Sequence, residues 1–271
     1  MPRPRSLIVF AALALLAATF LALLYANRNV RRSPPPSAVW SPPGKPVKVV
    51  SYNILHNQRG MARVMEEIAR LDPDFVLLQK VERRDLSAMS QRLGRFPAIY
   101  HASENLAGRR GSWGNAILSR HPLYDAGSIP HPGGSFGVWA TAVIGDHKFV
   151  VASVHLSATW NARPSHLIES SNSRWKELSA LVGAWEQVGS PPIVVGGDFN
   201  QVAVHNNYEL MTRHWTDALK GLGKDQATFG VGPLMTRIDY FLTSKEWRLI
   251  DGGVVDSDAS DHKPIWLLAG R

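Results

Sequence analysis

Cysteine is missing from this 271-residue chain. Its absence removes disulfides, thiolate metal sites and a thiol nucleophile together, while leaving the compartment open, since oxidising spaces tolerate cysteine-free proteins. Acidic residues are missing from the first 45 positions, which hold six cations: Arg3, Arg5, Arg28, Arg31, Arg32 and Lys45. The formal charge of +8 therefore resides mostly in this tail. Residues 46–271 carry 24 basic against 22 acidic side chains, a balance of +2, too small to argue for a surface that tracks nucleic-acid phosphates. No internal repeat is detectable. An apolar fraction of 45% supports one catalytic-size domain and excludes a disordered chain or a miniprotein that depends on staples.

What the tail does contain is "LIVFAALALLAATFLALL", residues 7–24, an uncharged run whose helical rise of roughly 27 Å matches a bilayer core. It reads as a retained transmembrane anchor. The competing reading is a cleaved secretory signal with Arg3 and Arg5 as its basic region, against which the run is long and no clear small-x-small cleavage site follows it before Tyr25. Cations flank both ends, so orientation is weakly determined; the folded part is expected outside the cytoplasm. Between run and domain, "RRSPPPSAVWSPPGKP" favours a stiff, extended stalk. The expected organisation is an anchor or signal at 1–26, a proline-rich linker at 27–46 and one domain at 47–271.

Within that domain, strand-like and helix-like segments alternate. "VKVVSYNIL" (47–55) is β-branched, and Met61, Val64, Met65, Ile68 and Leu71 then recur at helical spacing before Pro73. "DFVLLQKV" follows as a strand, Leu86, Met89 and Leu93 fit a second helix, and "WGNAILSR" (113–120) begins a series of strands. Residues 138–156 hold two apolar runs about a Gly-Asp turn, a hairpin signal that makes the sheet at least partly antiparallel. Trp175, Leu178, Leu181, Val182 and Trp185 suit one helix over 166–188. "PIVVGGDFN" and "RIDYFL" supply central strands, and "KPIWLLA" closes the chain. Mixed strands with intervening helices imply helical layers outside packed sheets.

Polar residues gather at the ends of apolar strands: Asn53, His155, Asp198 with Asn200, Asp239, and Asp261 with His262. Singly, each has a bland explanation. An Asp after Gly-Gly is commonly a turn or helix cap, Ser-Asp before His an N-cap, and a strand-end His a satisfied imidazole. Asp239 in "RIDY" resists this, because a carboxylate among strand-forming apolar residues is costly unless it pairs or binds a cation.

In order along the chain, "SYNIL", "LLQKVE", "GNAILSR", "VHL", "GGDFN", "TF", "RIDYFL" and "SDHKPI" resemble the endonuclease/exonuclease/phosphatase superfamily, the deoxyribonuclease I-like fold, over residues 47–269. The resemblance implies a four-layered α/β sandwich with two packed mixed or antiparallel sheets and outer helices. It also implies a phosphoester site at one rim and hydrolysis that depends on Mg²⁺ or Mn²⁺. Such a site must position water in line, aim positive charge at the phosphoryl oxygens and assist the leaving group. Asp198 then resembles the group that orients or deprotonates the water, and Asn200 a donor to the phosphoryl oxygens. His262, held by Asp239, presents a hydrogen bond or proton, with His155 opposite; Asn53 and Asp261 belong with the metal and its waters. Asn115, Arg110, Thr228 and Lys80 are the substrate-binding candidates.

One departure stands out. The family strand ends in Leu-Gln-Glu, the Glu being the principal metal ligand, whereas this chain has Leu78-Gln79-Lys80. An ammonium cannot ligate Mg²⁺, and Glu82 lies about 7 Å farther along an ideal strand, so its recruitment as a ligand requires a bulge or a displaced ion. Alternatively Lys80 stands where the metal would be, pairing with Asp261 and presenting positive potential to phosphate, or it extends to solvent at a degenerate site. Arg109 and Arg110 lie in a loop able to hold phosphate or merely be solvated. Thr228 and Phe229 resemble the family's Thr-Phe, or serve packing alone. Trp113, Trp139, Trp160 and Trp175 are candidates for a lipid or base platform, or for core, with Trp160 the one nearest a substrate. The readings are an anchored phosphoesterase, a silent phosphate-binding or interaction domain, and a nuclease; charge balance and the apolar run lean toward lipid headgroups or small phosphoesters as substrate over nucleic acid.

Overall fold

The computed structural model describes residues 45–95, 99–104, 110–131, 134–145, 147–159, 163–203, 206–230 and 234–270. The expected anchor at 7–24 and nearly all of the stalk lie outside the described residues, as do Arg109, Trp160 and the Arg110 side chain. Among the described residues, no helix is long and apolar enough to cross a membrane.

In chain order the first half runs β1 (Val47–Asn53), a 3-10 turn (Leu55–Asn57), α1 (Met61–Leu71), β2 (Phe75–Glu82), α2 (Arg83–Arg92), β3 (Ile99–Glu104), β4 (Arg110–Ser119), β5 (Leu123–His131), β6 (Gly134–Ile144) and β7 (His147–His155). The second runs α3 (Pro164–Gln187), β8 (Ile193–Asp198), α4 (Asn206–His214), β9 (Thr216–Asp217), α5 (Ala218–Gly221), β10 (Asp239–Thr243), β11 (Arg248–Val254) and β12 (Ile265–Gly270). Two six-stranded sheets result, ordered β11-β12-β1-β2-β4-β3 and β5-β6-β7-β8-β10-β9.

Each sheet has a parallel pair at its centre, β1 with β2 and β7 with β8, and antiparallel partners outside it. Parallel neighbours need a crossover, and α1 and α3 supply the two. Residues alternate accordingly. Val49, Phe75, Leu77, Val151, Val194 and Phe241 meet between the sheets. Val50, Tyr52, Val76 and Leu78 instead turn outward onto Val64, Ile68 and Met89 of α1 and α2. The outer face of the second sheet packs on Leu178, Leu181 and Val182 of α3 and Met211 of α4. Helix, sheet, sheet and helix thus form the α/β sandwich, and strands buried on both faces explain why the central runs are continuously apolar.

The hairpin expected over 138–156 is β6–β7, with Ile144 paired to His147 about a Gly145 of positive φ. Two expectations need correction. Trp175 is 41% exposed, because the buried face of α3 instead includes Arg174, Glu177, Leu178, Leu181 and Val182. And β10 is flanked by the two-residue β9, so it lies next to an edge, whereas β8 is central. Gly196 and Gly197 are no turn. They lie inside β8, where a Cβ on Gly196 would stand 2.7 Å from Phe241 and 2.8 Å from Leu77, and one on Gly197 would collide with the Val154 carbonyl oxygen.

Gly197→Ala is therefore expected to destabilise the fold by roughly 2 kcal/mol, since backbone must give way, with the melting temperature falling about 4–8 °C. Thermal unfolding followed by circular dichroism checks this; an unchanged melting temperature would show that β7 and β8 are not held this closely.

Candidate active site

The carboxyl ends of the four central parallel strands open on one rim, where α/β sheets place their ligand sites. Register brings the polar residues together. Asn53 pairs with Gln79, His155 with Asp198, and Asp198 with Asp239, so three adjacent strands of one sheet present His155, Asp198 and Asp239 at one level. His262 joins them from the loop before β12, held by a bridge to Phe229 and by ring contact with it at 4.6 Å.

Asp198 is the hub. Its Oδ2 accepts from Asn53 Nδ2 at 2.9 Å and lies 3.5 Å from Nε2 of both His155 and His262, while Oδ1 accepts from the Asn200 backbone N–H at 2.9 Å. His262 Nδ1 donates to Asp239 Oδ2 at 2.9 Å, and its Nε2 lies 3.2 Å from the Asn53 amide nitrogen. Ligand atoms of Asp198, Asp239 and His262 all fall within 4.8 Å of one another. All three residues are buried.

Burial and charge set the protonation states. For His262, burial opposes the charged form, but the field and hydrogen bond of Asp239, aided by Asp198 and Asp261, outweigh it and lift the imidazolium to about 9. His155 is pushed down to about 3 by burial, with the Lys80, His262 and His56 charges acting the same way, so it is neutral at neutral pH. Burial raises the Asp198 carboxyl, helped by Asp239 and opposed by His262, the Asn200 N–H and Lys80. A cationic and a neutral imidazole thus flank one carboxylate: His262 holds a transferable proton, and His155 can offer only a neutral hydrogen bond.

The other expected residues are placed differently. Thr228 is fully buried and its hydroxyl donates to Asp239 Oδ2 at 2.6 Å, so it orients that carboxylate and offers no atom to a substrate. Asn200 donates one amide N–H to the Leu156 carbonyl at 2.9 Å, which leaves the second N–H of the group for the expected phosphoryl oxygen. Asn115 is buried and donates to the Phe136 carbonyl at 2.9 Å, leaving its Oδ1 without a partner. Asp261 accepts from Ser260 Oγ at 3.2 Å and stands outside the close Asp198–Asp239–His262 group.

Lys80 lies at a bulge. Leu78 pairs with Ala116 and Val81 with Gly114, so Gln79 and Lys80 together face Asn115, and Lys80 has φ 53°. Half-buried, it forms no pair with Asp261, contrary to expectation; its charge acts on Asp198, His155 and His56 instead. Glu82 is not in the Asp198–Asp239–His262 group and pairs with Arg84 at 2.8 Å. Across the bulge, Gln79 Oε1 is a second buried amide oxygen without a partner.

Asp198, Asp239 and His262 form a group whose ligand atoms could hold a metal ion, beside the Lys80 that stands where the resemblance implies a glutamate ligand. Lys80 brings an ammonium and no ligand atom, Glu82 pairs with Arg84, and the Asp198 and Asp239 oxygens also accept from Asn53, Thr228 and His262. Sequence reasoning missed His56, whose ring meets Trp113 at 5.2 Å beside the site, with Trp113 in turn 5.7 Å from His155. It also missed Arg174 and Glu177; a guanidinium and a carboxylate on the apolar stripe of α3 were the available signal.

Residues 50–262 match the sequence profile of the Endonuclease/Exonuclease/phosphatase family. No curated protein matches the chain. Among solved structures it is similar to an endonuclease/exonuclease/phosphatase from Bacteroides vulgatus, with 16% identity over 83% of this chain and 98% of that one and a TM-score of 0.70. It is also similar to the human Nocturnin catalytic domain with bound sulfate, with 19% identity over 85% and 95% and a TM-score of 0.67. A third is the Neisseria 3′ phosphatase NExo bound to a product DNA hairpin, with 18% identity over 82% and 98% and a TM-score of 0.62.

The raised pKa of His262 makes a pH prediction. Its stabilising contribution is complete below the ordinary imidazole value of 6.5 and is lost as pH rises through about 9. Asp239→Asn is expected to lower that pKa and to reduce the loss of stability between pH about 6 and about 9.5 by on the order of 3 kcal/mol. Urea unfolding of both proteins at the two pH values tests it; parallel losses would show that Asp239 does not hold the charge on His262.

Proposed function

We propose that this chain, which belongs to the endonuclease/exonuclease/phosphatase family, hydrolyses phosphoester bonds by in-line attack of water, at a site whose metal charge is replaced by Lys80. The observation that carries this reading is the shared Asp198 oxygen, with Asn53 and two imidazoles of opposite protonation around it. Water attacks phosphorus as Asp198 takes its proton, and the phosphorus–oxygen bond to the leaving group breaks in line. The His262 imidazolium hydrogen-bonds the phosphoryl group and supplies a proton as negative charge builds. Asp239, oriented by Thr228, keeps His262 charged and its ring fixed.

Family members typically use a divalent metal that supplies positive charge and activates water. Here Lys80 supplies the charge as a point cation, and water activation falls to Asp198 alone. The domain balance of +2 favours small phosphoesters or lipid headgroups over long nucleic acid. Residues 7–24 as an anchor, ahead of a stalk at 27–46 and the domain at 47–271, would put the site near a membrane on its extracytoplasmic side.

Activity on a bis-aryl phosphate is expected to survive a chelator, and Asp198→Ala or His262→Ala to lower kcat by about 10²–10⁴-fold. Lys80→Met is expected to cost about 10²–10³-fold, whereas Lys80→Glu is expected to make activity depend on added Mg²⁺. A wild type that is fully active with Mg²⁺ and dies in chelator would rule out the substitute cation. Binding of inorganic phosphate without turnover of aryl phosphate, nicked DNA or phospholipid would favour the silent binder, the second reading that Lys80 supports. Separately, the full chain is expected in the membrane fraction and a 45–271 chain in the supernatant; recovery of both in the supernatant would dismiss the anchor.

A further inference from the structure

A helix that only has to cover a sheet presents apolar side chains to it. The buried stripe of α3 instead begins Ser170, Arg174, Glu177 before reaching Leu178, Leu181 and Val182. Arg174 is 7% exposed and Glu177 3%. Burial pushes the Glu177 carboxyl up to about 7 in spite of two Ser157 hydrogen bonds and the Arg174 charge, a measure of how poorly the position suits a carboxylate. Apolar residues of similar volume would hold the helix on the sheet at least as well.

What the two charges hold is a pair of loops. Ser157, two residues beyond His155, donates its backbone N–H to Glu177 Oε2 at 2.9 Å and its hydroxyl to Oε1 at 2.7 Å. Arg174 donates from Nη1 to the Ser157 carbonyl at 2.9 Å and to Thr159 Oγ1 at 3.2 Å. Its Nε donates to Gln201 Oε1 at 3.2 Å, one residue beyond Asn200. Gln201 is fixed in turn, its carbonyl accepting from Tyr240 OH at 2.6 Å. The loops also meet directly, as Leu156 N–H donates to the Asp198 carbonyl at 2.9 Å and Asn200 Nδ2 to the Leu156 carbonyl at 2.9 Å. One guanidinium thus grips both the segment leaving β7 and the segment leaving β8, whose last residues are His155 and Asp198.

We infer that Arg174 and Glu177 are positioning residues, setting the placement of His155 against Asp198 by clamping the loops that follow them; this rests on the phosphoesterase reading. Neither touches the reacting atoms. Their effect is geometric, and misplacement by a fraction of an ångström is enough to slow an in-line displacement.

The test uses full-length Arg174→Met, Arg174→Lys, Glu177→Leu, Glu177→Gln and, as control, Leu178→Ala, which removes buried apolar packing from the same face. On a bis-aryl phosphate, Arg174→Met and Glu177→Leu are expected to lower kcat about 10–100-fold with KM little changed. Glu177→Gln, which keeps an acceptor for Ser157, recovers most of that loss. Arg174→Lys keeps the charge but loses the fork, so it loses kcat without a comparable fall in melting temperature, and it carries the test should Arg174→Met fail to fold. Leu178→Ala is expected to lose melting temperature and keep kcat. The inference is overturned if the Arg174 and Glu177 variants lose melting temperature alone, or if Leu178→Ala loses kcat equally. Should the wild type turn over no phosphoester, the phosphoesterase reading fails by itself, and hydrogen exchange decides the positioning role. Faster exchange at 156–159 and 199–201 in Arg174→Lys and Glu177→Leu, but not in Leu178→Ala, supports it; equal rates overturn it.

Discussion

One of the hydrogen bonds between the sheets, Asn53 Nδ2 to Asp198 Oδ2 at 2.9 Å across 145 residues of sequence, is the contact on which the site depends. It can form only if two sheets keep a fixed separation and rotation at their rim. That constraint is met by the packing below it, where Leu77 of one sheet and Phe241 of the other close on the bare Cα of Gly196. Apolar interdigitation is dense enough that a shift of one sheet would have to repack many side chains at once. The penalty for losing alignment is electrostatic as well, since a buried Asp198 stripped of its donors would be an uncompensated charge. Core and site are thus one mechanical system.

At the rim, too, the backbone departs from regular geometry. Leu55, His56, Asn57, Lys80 and Asn200 all have positive φ without being glycine. Each such conformation costs on the order of 1 kcal/mol or more and persists only where surrounding bonds over-determine it. Here they do: Leu55 N–H donates to Asn53 Oδ1 at 3.3 Å, Ile54 N–H to the Gln79 carbonyl at 3.1 Å, and Asn57 Nδ2 to Asp85 Oδ2 at 2.5 Å. Through its bulge, β2 takes Lys80 out of the strict alternation and returns Val81 to the outer core. A straight strand would have directed the side chain at position 80 toward the helices.

Much of this was legible in the chain because the central strands are buried on both faces and the crossovers are amphipathic. α1 follows its stripe of Val64, Met65 and Ile68 as expected. Edge elements such as β3, β9 and β11 were not legible, because a strand covered on one side mixes polar and apolar residues without a clean period; β11 buries only Gly252 and Gly253 fully. In α3 hydrophobic periodicity points to Trp175, whereas the buried face carries its neighbour Arg174, because that face is partly charged. Polar strand ends signalled that Asp198, Asp239 and His262 belong together, but not their bonding. The commitment of Thr228 to Asp239, of Asn200 to Leu156 and of Glu82 to Arg84 depends on distances that no spacing encodes.

On the proposed reading, closure of charge within the site stands in for the metal. Two carboxylates, Asp198 and Asp239, face the His262 imidazolium and the Lys80 ammonium, while His155 and His56 are both held below the ordinary imidazole value. These four charges cancel, with Asp261 adding its field to His262 from outside the close group. A site with glutamate at position 80 would instead carry a deficit of two positive charges, which is the condition that draws in a divalent cation. With the deficit already filled, a further dication would enter against both Lys80 and His262, whereas a phosphate monoanion would meet them as attractive partners. On that reading, a lysine at position 80 weakens the attraction for a metal, leaves the attraction for phosphate in place and moves the work of activating water onto Asp198. That carboxylate's field is set by Asn53 from one sheet and by loops clamped to α3 from the other.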